Sequence, residues 1–258
     1  MARQLSESAV LLTGGTAGIG LACAEALAAA GVPRLLLAGR SEARGAAAVE
    51  AVRRAAPAAE VRFVAADVAT PEGATRAAEA CAGAYGRIDA LVSTAGGDAL
   101  PRLLHEQPIE SLPETLRTIT SGVLLPARAV LPVMMDQGGG SIVCTASDAA
   151  KVATPGEVTI GAAMAAIVMF CRGLANEAKR SGIRVNVMTP SIVRGTPLYD
   201  QLMADPFAGR LFAKAETMAR LGVAEAADLA QLAVFLCGPG SAKLTGQAIS
   251  VNGGISAA

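Results

Sequence analysis

Apolar residues along the chain fall into short runs separated by longer stretches with helical spacing. Residues 9–12 (AVLL) form such a run ahead of a glycine-rich turn, the pattern of a strand buried on both faces. The pattern then predicts a helix over 18–30 closed by Gly31, and a strand over 34–38. A helix capped by Ser41 runs to 56 and is stopped by Pro57. A strand over 61–65, a helix over 72–85 and a strand over 88–93 follow. A long helix is predicted over 109–136, with Pro126 as a kink point, and a triple-glycine turn at 138–140 leads to a strand over 141–145. A second long helix covers 156–180, and a strand covers 183–188. Residues 190–221 read as a looser segment, 224–236 as a helix and 248–251 as the last strand. No repeat or linker interrupts the alternation. It predicts one α/β domain, a doubly wound parallel sheet of about seven strands with helices on both faces.

Composition narrows the function classes. The 258 residues suffice for one well-buried core. Formal net charge is zero, so the chain carries no electrostatic footprint for nucleic acid or an acidic membrane. The longest apolar stretch, 162–171, is too short to span a bilayer. The N-terminal apolar run leads into a glycine turn and reads as a strand, not a signal peptide. Cys23, Cys81, Cys144, Cys171 and Cys237 are scattered and lack metal-ligand spacing. They predict free buried thiols in a reducing, cytoplasmic compartment, with no metal.

The turn after the first strand carries the first chemistry. In Thr13-Gly14-Gly15-Thr16-Ala17-Gly18-Ile19-Gly20, Gly14 permits a tight turn, Gly18 a close approach to a diphosphate, and Gly20 close packing of helix on sheet. The helix start offers free N–H groups and partial positive charge to phosphates. The second strand ends at Arg40, with no acidic residue to bind a ribose 2′-hydroxyl; a guanidinium there favours a 2′-phosphate, hence NADP(H) over NAD(H). Asp67, after the third strand, is placed to accept from an adenine amine, or simply to cap a turn.

These residues resemble the short-chain dehydrogenase/reductase family and its Rossmann-fold domain. Thr13 to Gly20 match its glycine motif, Asp67-Val68 its adenine contact, and Ala95-Gly96 the end of its Asn-Asn-Ala-Gly motif. Residues 140–143 match the strand before its catalytic serine, 183–187 with Pro190 its sixth strand and nicotinamide loop, and 244–254 its last strand. The resemblance implies cofactor contacts from Gly14, Thr16, Gly18, Ile19, Gly20, Arg40, Asp67, Val68, Ala95, Gly96, Pro190 and Ile192. It also implies assembly into homo- or hetero-oligomers through the second long helix and through the last helix and strand.

The family's chemistry uses a tyrosine that handles the proton, a lysine four residues later, a serine on the substrate oxygen and an asparagine that completes a relay. Ser147 stands at the serine position. The tyrosine position, thirteen residues on, is Ile160; the lysine position is Met164; the asparagine position falls near Ile119. Ser93-Thr94 replace the Asn-Asn pair, and Ser191 replaces the glycine after Pro190. Neither Ile160 nor Met164 can donate a proton. The leading expectation is therefore a dinucleotide-binding, non-catalytic subunit that pairs with an intact homologue. One alternative is an NAD(P)-dependent oxidoreductase with rewired acid/base groups drawn from Tyr199, Lys151, Asp148, Glu157, Asp98 and His105. Another is a dinucleotide sensor. The 96–106, 147–158 and 191–207 segments would line a fairly apolar substrate pocket.

Overall fold

A computed structural model describes residues 3–96 and 99–258. Strands and helices alternate as β1 (Ala9–Thr13), α1 (Gly18–Ala29), β2 (Arg34–Gly39), α2 (Glu42–Ala55), β3 (Glu60–Ala65), α3 (Pro71–Tyr85) and β4 (Ala90–Ser93). The second half continues as α4 (Ser111–Asp136), β5 (Gly140–Thr145), α5 (Val158–Ala178), β6 (Ile183–Pro190), α6 (Pro197–Ala204), α7 (Pro206–Met218), α8 (Ala226–Cys237) and β7 (Ala248–Val251). All seven strands pair parallel in one sheet of order β3-β2-β1-β4-β5-β6-β7.

The two-residue alternation of strand side chains divides the core in two. Leu11, Leu91, Ile142 and Val185 face α3, α4 and α5. Val10, Leu12, Val92 and Val143 face α1, α2 and α8. Burying one such side chain is worth about 1.5–3 kcal/mol, so both faces contribute heavily to stability. Small residues let the helices approach closely: a Cβ on Gly122 of α4 would stand 2.9 Å from the Ala95 carbonyl oxygen.

Four readings need correction. Residues 190–221 are not loose: β6 runs on to Pro190, and α6 and α7 follow. Thr196 and Asp205 cap these two helices, and each helix has proline in its first turn, where the missing N–H costs nothing. Helix α5 starts at Val158, because Gly156 holds φ +85° and a Cβ there would meet the Phe207 ring at 2.5 Å. β4 starts at Ala90; Ile88 before it pairs with the Gln137 amide. Finally, α4 and the stretch Val158–Ser181 are each long and apolar enough to cross a membrane by length and composition. Both nevertheless lay Ile119, Val123, Ala163 and Ile167 against the sheet. α4 continues as helix through Pro126 and Pro132.

Candidate active site

The glycine turn sits at the C-terminal end of β1, where the strand order reverses between β2 and β4, the position at which open α/β sheets bind ligands. Its shape excludes side chains. Gly14 holds φ +72°, and a Cβ there would stand 2.7 Å from the Ala95 amide nitrogen. A Cβ on Gly20 would stand 2.3 Å from the Gly14 carbonyl oxygen. The Gly14 amide donates to Ala38 O at 3.0 Å, tying the turn to β2. No side chain caps the start of α1, so its first N–H groups face the turn for an anion to use. This cradle fits a dinucleotide diphosphate.

On the β2–β3 side, the Thr16 methyl packs where a Gly39 Cβ would be, 3.0 Å away, which sets exposed Arg40 beside the turn. Asp67 is exposed, accepts from Ala69 N at 3.1 Å and accepts the Thr70 hydroxyl on its carbonyl at 2.8 Å, so it caps a turn in its own right. The Val68 side chain is buried in the core, which leaves its backbone for a ligand.

On the other side the turn opens into a cavity of about 570 Å³. Ala17 to Gly20, Thr94 to Gly96, Pro190 and Ile192 line it. Leu198, Leu202, Leu211, Phe212 and Met218 from α6 and α7 line the far end. Ser147, Ile160, Met164 and Ile119 line it too. The four positions that the resemblance gives to catalytic groups thus share one cavity, and of them only the serine is polar. The Ser147 Oγ accepts from Ala149 N at 3.2 Å and keeps its proton to donate.

The alternative acid/base residues separate clearly. Asp148 and Lys151 belong to a C-terminal clasp: Asp148 is buried, accepts from Asn252 Nδ2 at 3.0 Å and from the Ser256 hydroxyl, and lies 3.7 Å from Lys151 Nζ. Lys151 also donates to the Ser250 hydroxyl and, at 2.7 Å, to Ala258 O. Tyr199 reaches the cavity, but its hydroxyl donates to Glu216 at 3.1 Å, a carboxylate held low by Arg194. His105 is exposed and is not part of the cavity wall. Asp98 lies outside the described residues. Glu157 lines the cavity, and burial pushes its carboxyl up to about 7, opposed by the Thr154 hydroxyl and reinforced by Asp148.

Two supports of the site escaped the sequence reading. Thr94 and Ser93 do structural work in place of the Asn-Asn pair: Thr94 Oγ1 donates to Thr13 O at 2.9 Å, and Ser93 Oγ accepts from Thr13 at 3.1 Å. Arg102 grips Asp205 with two hydrogen bonds and donates its amide to Gly156 O at 2.9 Å. Adjacent polar residues signalled the first; the second spans 103 positions and has no local signal.

Comparison with known proteins agrees with this geometry. Residues 14–256 match the family model described as Enoyl-(Acyl carrier protein) reductase. The chain is 34% identical to the short-chain reductase protein NovJ of Streptomyces niveus, over 96% of this chain and 94% of that one. Levodione reductase superposes with a TM-score of 0.90 at 28% identity, covering 98% of both chains. A short-chain oxidoreductase from Pseudomonas aeruginosa PAO1, solved without ligand and described as containing an atypical catalytic center, superposes with a TM-score of 0.88 at 29% identity. It covers 98% of this chain and 99% of that one.

Proposed function

Because the chain belongs to the short-chain dehydrogenase/reductase family, we propose that it is an NAD(P)(H)-binding oxidoreductase acting on an apolar carbonyl or alcohol through an atypical centre. One observation carries this reading. A single cavity joins the glycine cradle to an apolar chamber, and Ile160 and Met164 form its wall where the family pattern implies tyrosine and lysine.

Gly14, Gly18 and the first N–H groups of α1 would hold the diphosphate, and Arg40 a 2′-phosphate, which favours NADP(H). Ala95, Gly96, Pro190 and Ile192 would border the nicotinamide, whose chemistry is the gain or loss of a hydride. Ser147 donates a hydrogen bond to a substrate oxygen, and the α6–α7 side chains take the apolar body and exclude water. With Met164 in place of an ammonium, no lysine reaches a ribose from α5, so dinucleotide affinity falls below that of relatives that keep one.

Titration with NADPH and NADH, followed by fluorescence, tests the cofactor reading. Saturable binding, tighter for NADPH, is the expected result. Arg40→Ala is expected to weaken NADPH roughly tenfold, about 1.4 kcal/mol, and to leave NADH nearly unchanged. No saturable binding of either dinucleotide would refute the cradle assignment.

A second reading, a non-catalytic subunit that assembles with an intact homologue, is favoured by exposed apolar side chains on two helices. Val158 and Met169 on α5 are 53% and 64% exposed, and Phe235 on α8 is 46% exposed. An assembly through these two helices would cover them. Turnover of a carbonyl by the purified chain alone separates the two readings. The five buried thiols support a reducing, cytoplasmic setting for either.

A further inference from the structure

We propose that Glu157 supplies the proton to a carbonyl oxygen bound in the cavity, taking over the duty that the family pattern gives to a phenol at position 160. The inference rests on the proposed reading of the cavity as a dinucleotide and carbonyl site.

Placement comes first. Positions 160 and 164 share one face of α5, position 157 stands at its cap, and all three line the cavity. Only position 157 carries a proton. Glu157 is the residue immediately before α5, one turn ahead of Ile160. A Cβ on Gly161 would stand 2.9 Å from the Ala149 carbonyl oxygen, so the first turn of α5 rests directly on the 3-10 turn Asp148–Ala150. Ser147 caps that turn. Glu157 and Ser147 therefore line the cavity from two elements in contact.

The second observation is that the backbone is pinned on both sides of Glu157. Gly156 O accepts from the Arg102 amide at 2.9 Å, and the Phe207 ring fills the space beside Gly156. Thr159 Oγ1 donates to Gln107 Oε1 at 3.1 Å, and Gln107 Nε2 donates to Arg102 O at 2.7 Å. A fixed backbone is what a proton donor needs, because a misplacement near 1 Å can cost about 100-fold.

The surrounding groups leave the duty to Glu157. Asp148, from the 3-10 turn, is engaged by Asn252, Ser256 and Lys151. Tyr199, from α6, is engaged by Glu216. Lys214, from α7, is exposed at the rim. Arg102 and Asp205 neutralise each other. Burial, the dominant influence on Glu157, keeps its proton on to near neutrality. In the reductive direction the carbonyl carbon gains a hydride from a reduced nicotinamide dinucleotide, and the oxygen takes the Glu157 proton. The products are the alcohol, the oxidised dinucleotide and a Glu157 carboxylate, which regains its proton from water.

The test uses the protein loaded with NADP⁺, which has no hydride to deliver, and 2-decanone labelled with ¹³C at the carbonyl; turnover is measured separately with NADPH. Infrared spectra of the bound ketone are expected to show its carbonyl stretch lowered at pH 6, with the lowering fading as the pH is raised to 8. In Glu157→Gln this pH dependence is expected to vanish while NADPH affinity stays within about twofold, and ketone turnover is expected to fall at least about 100-fold. A stretch indifferent to pH in the unmodified protein, an unchanged pH response in Glu157→Gln, or no bound-ketone band overturns the proposal. Failure to bind NADPH instead overturns the cofactor reading, and is seen before any ketone is added.

Discussion

Glu157 also bears on stability, with a definite sign. Its carboxyl titrates near 4.5 when unhindered and at about 7 in the fold, where burial dominates. Between these values the folded chain binds more protons than the unfolded one, so stability falls as pH rises. The contribution is fully present below pH 4.5 and lost by the time pH has passed about 7. The loss amounts to at most about 3 kcal/mol, at about 1.4 kcal/mol per pKa unit. Glu157→Gln, whose side chain does not ionise, is expected to gain on the unmodified protein by up to that amount between pH 5 and pH 8 in urea denaturation, and to match its slope below pH 4.5. Single residues of this kind were only partly legible in the sequence. Ile160 and Met164 could be placed by counting from Ser147. Glu157, Asp148 and Lys151 were indistinguishable there, because burial and partners such as Asn252 and Ser256 are settled by contacts across more than a hundred positions.

Elements were legible where one local signal dominated. Ser41 caps α2, accepting from Arg44 N at 3.3 Å, and the glycine turn leads from β1 into α1 as its spacing predicts. The turn also makes the sharpest prediction at this scale. Gly20→Ala sets a methyl 2.3 Å from the Gly14 carbonyl oxygen, where backbone must yield. Overpacking of this kind costs about 1–3 kcal/mol. Chemical denaturation should register that loss, and NADPH binding should weaken with it, since the same carbonyl shapes the cradle. Helices α6 and α7 were missed although Thr196-Pro197 and Asp205-Pro206 are cap-and-proline openings. Proline both stops and opens helices, so neither proline alone marked a helix start. The end of β6 was missed for a related reason: Pro190 looks like a stop, yet it closes the strand in register with Val251.

For the whole molecule, the alternation of runs and periodic stretches was enough to give a seven-stranded parallel sheet, because each strand must hide both faces. It did not give the cavity, whose wall gathers residues from Ala17 to Ser256. The two cores make a prediction of their own. All five cysteines are free and buried, and burial lifts the thiols of Cys23, Cys81 and Cys237 to about 12. An aromatic disulfide reagent at pH 8 should therefore label essentially none in the native protein and all five after denaturation. Rapid native labelling would mean that one helical layer opens on the timescale of the reaction.

The grip of Arg102 on Asp205 reaches beyond the two loops it joins. Asp205 starts the helix that roofs the apolar chamber, and the Arg102 main chain holds the residue just before Glu157. The start of α7 and the backbone before Glu157 thus hang from one bracket. If Glu157 serves as proposed, loosening the Arg102–Asp205 pair is therefore expected to change the size of guest admitted and the pH at which the acid fails together.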